Sequence, residues 1–137
     1  MSGLFKKTIR NDLSELTLAN DALHLFLGEH PLPPQATYAL NLSIEELLTN
    51  IIKYSYDDTA EHVIDIQVEL SPWHIVLTIQ DDGQAFNPLE QEAPDITKPP
   101  EEREIGGLGL HMVREMCEEM EYRREGDRNI TVVRIRV

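Results

Sequence analysis

The chain has 137 residues, 41% of them hydrophobic, with 25 acidic against 12 basic side chains and a formal net charge of −13. That length fits one domain over residues 1–137 with one core, and the apolar share excludes an intrinsically disordered chain. The acidic balance argues against direct nucleic-acid binding, because a polyanion is repelled. It suits a basic partner, a metal-chelated anion or plain solubility.

No apolar run approaches the roughly 18 residues that a membrane span needs, and the first seven residues lack a secretory apolar segment. The single cysteine, Cys117, can form no internal disulfide, and no Cys/His spacing suggests zinc. A cytoplasmic protein that neither enters a membrane nor binds nucleic acid is the expectation.

Residues 4–11 set Phe5 and Ile9 among basic neighbours and read as an edge strand. Asp12 or Ser14 offers an N-cap. Leu13, Leu16, Ala19, Leu23, Phe26 and Leu27 recur at helical spacing, which predicts an amphipathic helix over 13–27 with Gly28 as its stop. Pro31, Pro33 and Pro34 make a rigid connector to a longer helix over 35–54. Asp57-Asp58 marks a turn. Val63, Ile66, Val68 and Leu70 predict a strand over 62–70, and Ser71-Pro72 a turn. Ile75, Val76, Leu77 and Ile79 predict a second strand over 73–80, antiparallel to the first.

Residues 81–105 lose periodicity and carry Pro88, Pro94, Pro99 and Pro100. A loop of that length in a small domain is usually functional, and this one reads as a lid rather than a plain connection. Leu110, Val113, Met116, Cys117 and Met120 predict a third helix over 107–120. Residues 123–128 read as a charged turn around Gly126, and Ile130, Val132, Ile135 and Val137 predict a closing strand over 130–137. The economical architecture is α+β, a two-layer sandwich with helices on one face of a mostly antiparallel sheet.

Three segments carry candidate chemistry. Glu46 and Asn50 stand at i and i+4 on one helix face. Asn supplies a neutral oxygen to a magnesium octahedron shared with phosphate oxygens and waters, and Glu can take a proton from an attacking hydroxyl. Lys53 lies within reach of a phosphate, although such a lysine is more often merely solvated. Asp81-Asp82-Gly83 ends an apolar strand. A carboxylate there accepts a hydrogen bond from an exocyclic amine such as adenine's, and Gly83 lets the backbone turn close to a flat base. An acidic turn is the plainer reading. Gly106-Gly107-Leu108-Gly109 precedes the third helix, where glycine N–H groups and the helix start favour a phosphate. The P-loop lysine and the dinucleotide spacing are both missing.

In this order, Glu46-x-x-x-Asn50, Asp81-x-Gly83 and Gly107-x-Gly109 resemble the N, G1 and G2 boxes of the GHKL ATP-binding superfamily. The runs Asp81-Asp82-Gly83-Gln84-Ala85-Phe86-Asn87-Pro88 and Glu104-Ile105-Gly106-Gly107-Leu108-Gly109-Leu110 look like its RsbW/SpoIIAB-type branch. Members of that branch are anti-sigma factors that are also serine/threonine protein kinases. The resemblance implies a Bergerat-type sandwich binding Mg2+ and ATP beneath a lid. It implies Glu46 as general base, Asn50 as magnesium ligand, and Asp81 as the adenine reader with Gly83 beside the base. Gly106, Gly107, Leu108, Gly109 and Leu110 would line the phosphates. Arg103 would approach the terminal phosphate or a partner, and Thr131 the adenine.

Two positions depart from the pattern. Ala85 stands where many members have a second glycine, which is tolerable at negative φ, and Tyr54 where the branch often has His. The Asn50-Ile51-Ile52-Lys53-Tyr54 run is closer to sensor histidine kinases. With no preceding helix that bears a phospho-accepting histidine, a complete histidine kinase is disfavoured.

The resemblance therefore implies a kinase of a partner-switching system. It would phosphorylate a small STAS-type antagonist, sequester a sigma factor and form a homodimer. A nucleotide-gated binding module of the same fold, without phosphate transfer, is the alternative.

Overall fold

The computed structural model describes residues 2–90 and 107–137. Five strands and three α-helices follow in the order β1 (Gly3–Arg10), α1 (Glu15–Glu29), α2 (Pro34–Tyr54), β2 (Val63–Leu70), β3 (His74–Asp81), α3 (Gly107–Met116), β4 (Glu119–Glu125) and β5 (Arg128–Arg136). The strands form one antiparallel sheet in the order β1-β2-β3-β5-β4. This is the expected α+β two-layer sandwich.

Alternation builds the core. Ile64, Ile66, Val68 and Leu70 of β2 and Ile75, Leu77 and Ile79 of β3 are all buried. Against them lie Ala39, Leu40, Ile44, Leu47, Leu48 and Ile51 of α2, the longest helix. α1 packs on β1, with Phe5 and Phe26 rings 5.5 Å apart, and α3 packs on α2. Glu15 fixes the β1–α1 corner by accepting from the Arg10 backbone N–H at 3.1 Å and from its guanidinium at 3.2 Å. Among the described residues, no helix is long and apolar enough to cross a membrane.

Several boundaries differ from the sequence expectation. Gly28 lies inside α1. The chain leaves the helix at His30, whose N–H still reaches Phe26 O at 3.1 Å, because the residue before Pro31 is pushed out of helical geometry. Pro34 belongs to α2, at the first helical position where a missing N–H costs nothing. Neither Asp12 nor Ser14 caps α1 by its side chain; Asp12 instead accepts from the Ser14 N–H at 2.9 Å.

The third helix stops at Met116, four residues short of the expected end. The Glu118 N–H bonds to Arg134 O at 2.8 Å, so the chain has already joined the sheet. Residues 119–125, read in part as helix and turn, form edge strand β4, whose charges suit an edge. The turn is only Gly126-Asp127, with Gly126 at φ 59. β5 splits the residues expected to share one face: Ile135 faces the core as expected, but Ile130 and Val132 do not. Asn129, Thr131, Val133 and Ile135 face the core, whereas Ile130 and Val132 pair with Gln80 and Thr78 on the other face.

Leu48 has no exposed surface. Leu48→Ala should lower the unfolding free energy by about 2–5 kcal/mol, read from urea denaturation. A shift below half a kcal/mol would place the core elsewhere.

Candidate functional site

Helix α2 is the spine of the site. Nine of its residues are buried, Asn50 among them. Glu46 and Asn50 sit one turn apart, and Ser55 follows at the C-terminal end, its N–H on Ile51 O at 3.0 Å. Glu46 to Ser55 spans roughly 13 Å along the axis. Two other elements meet this span through glycines.

At one end, α3 comes in through Gly109. A Cβ on Gly109 would overlap the Glu46 carboxyl group, so a side chain there is excluded and Glu46 rests on the first turn of α3. The N–H groups of that turn have no partner within the helix and favour an anion. At the other end, β3 leaves the sheet through Asp81 and Gly83. A Cβ on Gly83 would lie 2.6 Å from Ser55 Cβ and 2.7 Å from Ser55 O. Gly83 is therefore required by close approach to α2, not by a positive φ. No non-glycine described residue has positive φ either, so Ala85 takes its place in the turn without strain. The Gln84 N–H closes the contact on Ser55 O at 2.7 Å.

Asp81 continues the inward alternation of Ile75, Leu77 and Ile79 and is 2% exposed. Its Oδ1 accepts from the Gly83 N–H at 2.9 Å and from Asn129 Nδ2 at 2.9 Å. Burial pushes the Asp81 carboxyl above the ordinary carboxylate range, and these two hydrogen bonds pull it partly back. Burial likewise raises Glu46, helped by Glu45 and opposed by Lys53. Lys53 is exposed on the last turn of α2. Asn50 donates from Nδ2 to Glu46 O at 2.6 Å, which leaves its Oδ1 as the oxygen for a cation. Among the described residues, no cluster of three His, Cys, Asp or Glu forms a metal cage. One amide oxygen is the donor set suited to magnesium that keeps waters and phosphate oxygens.

Thr131 is buried beside Ile79, two residues from Asn129 on the same face. Leu110 is also buried. Gly107 and Leu108 open α3. Arg103, Gly106 and the proposed lid lie outside the described residues. Ser55 Oγ and Tyr56 OH, beside the Gly83 turn, are buried and find no hydrogen-bond partner among the described residues. Orphaned hydroxyls there fit a bound polar ligand.

Sequence reasoning missed Asn129, Ser55 and the pair Tyr122 and Arg124. Arg124 Nη1 donates to Gly83 O at 2.7 Å. The available signal was two polar residues, Asn129 and Thr131, leading an otherwise apolar alternation. A separate cavity of about 600 Å3 between α1 and α2, lined by His24, Leu32, Asn41 and Glu45 among others, contains none of the motif residues.

A sandwich whose central helix meets a helix N-terminus at one end and a buried strand-end carboxylate at the other defines a nucleotide-binding class. Residues 9–136 match the histidine kinase-like ATPase domain, and the chain belongs to that family. Membership implies ATP as the nucleotide. The chain is 26% identical over 121 residues to the serine/threonine-protein kinase BtrW of Bordetella bronchiseptica, covering 85% of this chain and 84% of that protein. It is 35% identical over 79 residues to the anti-sigma F factors of Bacillus thuringiensis and Bacillus mycoides, covering 57% of this chain and 53% of each of theirs.

His62 braces the same turn. Its Nδ1 lies 3.1 Å from Asp82 and its Nε2 2.9 Å from Asp58, and its ring stacks on Tyr56 at 4.5 Å. Only the imidazolium donates from both nitrogens. The hydrogen bond to Asp58 and then that to Asp82 raise the His62 pKa. A raised folded-state pKa contributes stability that is complete below the unfolded value of about 6.5 and is lost as pH rises through the folded value. The stability advantage of wild type over His62→Gln should therefore be greatest near pH 6 and shrink into the alkaline range, measured by urea unfolding across pH 5.5–9. An advantage that grows with pH would contradict the bridge.

Proposed function

We propose that this chain is a serine/threonine protein kinase and anti-sigma regulatory factor. It would phosphorylate a small STAS-type antagonist in a partner-switching system that controls transcription in the cytoplasm. The observation that carries the catalytic reading is the Glu46 carboxyl resting on Gly109 at the start of α3, one turn from Asn50. A proton acceptor, an oxygen for a cation and a helix N-terminus converge there. Phosphoryl transfer asks for those groups, because it depends on positioning and charge neutralisation more than on covalent chemistry.

Glu46 takes the proton of the antagonist's serine hydroxyl as its oxygen bonds to the γ-phosphorus and the bond to the β-phosphate oxygen breaks, leaving ADP. Its raised pKa makes it a better base than an open carboxylate. Asn50 Oδ1 would hold Mg2+, which supplies countercharge to the phosphates. The first turn of α3, from Gly107 to Leu110, presents N–H groups to the phosphates, with Arg103, Gly106 and Lys53 as further contacts. Asp81 reads the exocyclic amine of adenine, with Gly83, Ala85 and Thr131 around the base. Phosphorylation would release the antagonist and free the kinase to sequester a sigma factor. BtrW is named as a kinase and the Bacillus relatives as anti-sigma F factors, and both names support this reading. A homodimer is part of the proposal.

Glu46→Gln should cut phosphate transfer from labelled ATP to the antagonist by about a hundredfold or more while nucleotide still binds. Undiminished transfer would remove Glu46 as base. Binding of ATP by wild type with no transfer to any STAS-type antagonist would favour the nucleotide-gated module. Asp81→Asn should weaken ATP binding in calorimetry by about tenfold or more, and unchanged affinity would reject its role.

A further inference from the structure

We propose that Asn129 is a positioning residue that sets base specificity, by holding Asp81 as a pure hydrogen-bond acceptor toward the nucleobase. The proposal rests on the reading of Asp81 as the adenine-recognising carboxylate.

Asn129 is 2% exposed and sits directly opposite Asp81 in the β3–β5 register. Its amide orientation is fixed by its neighbours. Oδ1 faces two donors, the Tyr122 hydroxyl and Arg124 Nη1, the latter at 3.1 Å. Nδ2 faces only acceptors: Asp81 Oδ1 at 2.9 Å, Gln84 O at 2.8 Å and, more distantly, Gly83 O at 3.4 Å. A flipped amide would set oxygen against oxygen at the three acceptors and N–H against N–H at Arg124.

The consequence falls on Asp81. Its Oδ1 receives two hydrogen bonds, from Gly83 N–H and from Asn129, which use both of that oxygen's acceptor positions. Oδ2 is left to meet the ligand. Both bonds favour the ionised form against the burial that opposes it. An ionised carboxylate accepts and cannot donate. It pairs with a base bearing an amine at the position it reads, as adenine does, and repels one bearing a carbonyl there, as hypoxanthine does. A site built to bond one polar group rejects the analogue lacking it because its own buried group is left unpaired. Without Asn129, Oδ1 loses a donor, the carboxyl protonates more readily, and a protonated Asp81 can donate to a carbonyl. Discrimination then weakens from both sides.

The test is the ratio of ATP to inosine triphosphate affinity, measured by calorimetry at one pH on the full chain. Wild type should prefer ATP by about tenfold or more. Asn129→Leu, which keeps the branch at Cγ but removes both polar atoms, should bring the two affinities within about threefold, chiefly by weakening ATP. Tyr122→Phe removes only the hydroxyl that orients the amide, and it should lower the ratio by about two- to tenfold with little change in thermal midpoint. A merely structural role would weaken both nucleotides alike and preserve the ratio. Wild-type discrimination retained in Tyr122→Phe, and in Asn129→Leu if that variant folds, would overturn the proposal while leaving Asp81 in place. A wild type that does not distinguish the two nucleotides, with Asp81→Asn equally indifferent, would overturn the reading of Asp81 and this proposal with it.

Discussion

Close approach of backbone to helix α2 is the constraint on which the site depends. α3 reaches the Glu46 carboxyl only because Gly109 has no side chain, and the exit from β3 reaches Ser55 only because Gly83 has none. Each contact fixes a different end of the proposed site. The first joins a carboxylate to a helix N-terminus, and the second holds a buried carboxylate against the end of the same helix. Between them runs a helix whose opposite face is locked into the core by Leu40, Ile44, Leu47, Leu48 and Ile51. A site built on a packed helix keeps its geometry without help from the ligand, which catalysis by positioning requires.

The same end of the molecule concentrates buried polarity. Asp81, Asn129 and Thr131 sit where the inward-facing alternation of β3 and β5 would otherwise continue apolar. Burying a carboxylate costs several kcal/mol unless it is bonded, and here the cost is offset by Gly83, Asn129 and, behind them, Arg124 and Tyr122. β4 looks dispensable as a charged edge strand, yet it carries both of these outer supports. The hairpin at Gly126-Asp127 turns that edge back so that Tyr122 and Arg124 face Asn129 across the β4–β5 ladder.

Much of this was legible in the sequence, and the failures have physical causes. α2, β2 and β3 were readable because their apolar periods are strong and their ends are marked by Pro, Asp and Gly. The pairing of Glu46 with Asn50 follows from helical geometry alone. β4 was hidden because an edge strand needs only half-buried Met120 and Tyr122 between charges, a weak alternation that merges with the preceding helix. β5 is only half readable: Ile135 faces inward as its side chain suggests, but Ile130 and Val132 lie on the opposite face, where Ile130 is buried too, and the inward positions begin with Asn129 and Thr131. A polar residue facing inward is invisible to a hydrophobic count, and its meaning depends on the partner opposite, which only the register reveals. The two glycines were recognised, but for another reason. The sequence suggests a close turn beside a base for Gly83 and N–H groups near phosphates for Gly109, and the described contacts add that both are contact points against α2.

The chain's negative charge bears on how the site can hold a polyanion. At physiological ionic strength fields decay over about 8 Å, so most of the net −13 does not reach a bound nucleotide. The groups that do reach it are local. Glu46, Asp81 and Asp82 are acidic; Arg124 on Gly83 O and the His62 imidazolium on Asp82 oppose them at the Asp81 end, and Lys53 and the N–H groups at the start of α3 at the Glu46 end. In the proposed function, a divalent cation held by Asn50 Oδ1 would add positive charge beside Glu46 and so would favour the binding of a triphosphate as well as its transfer.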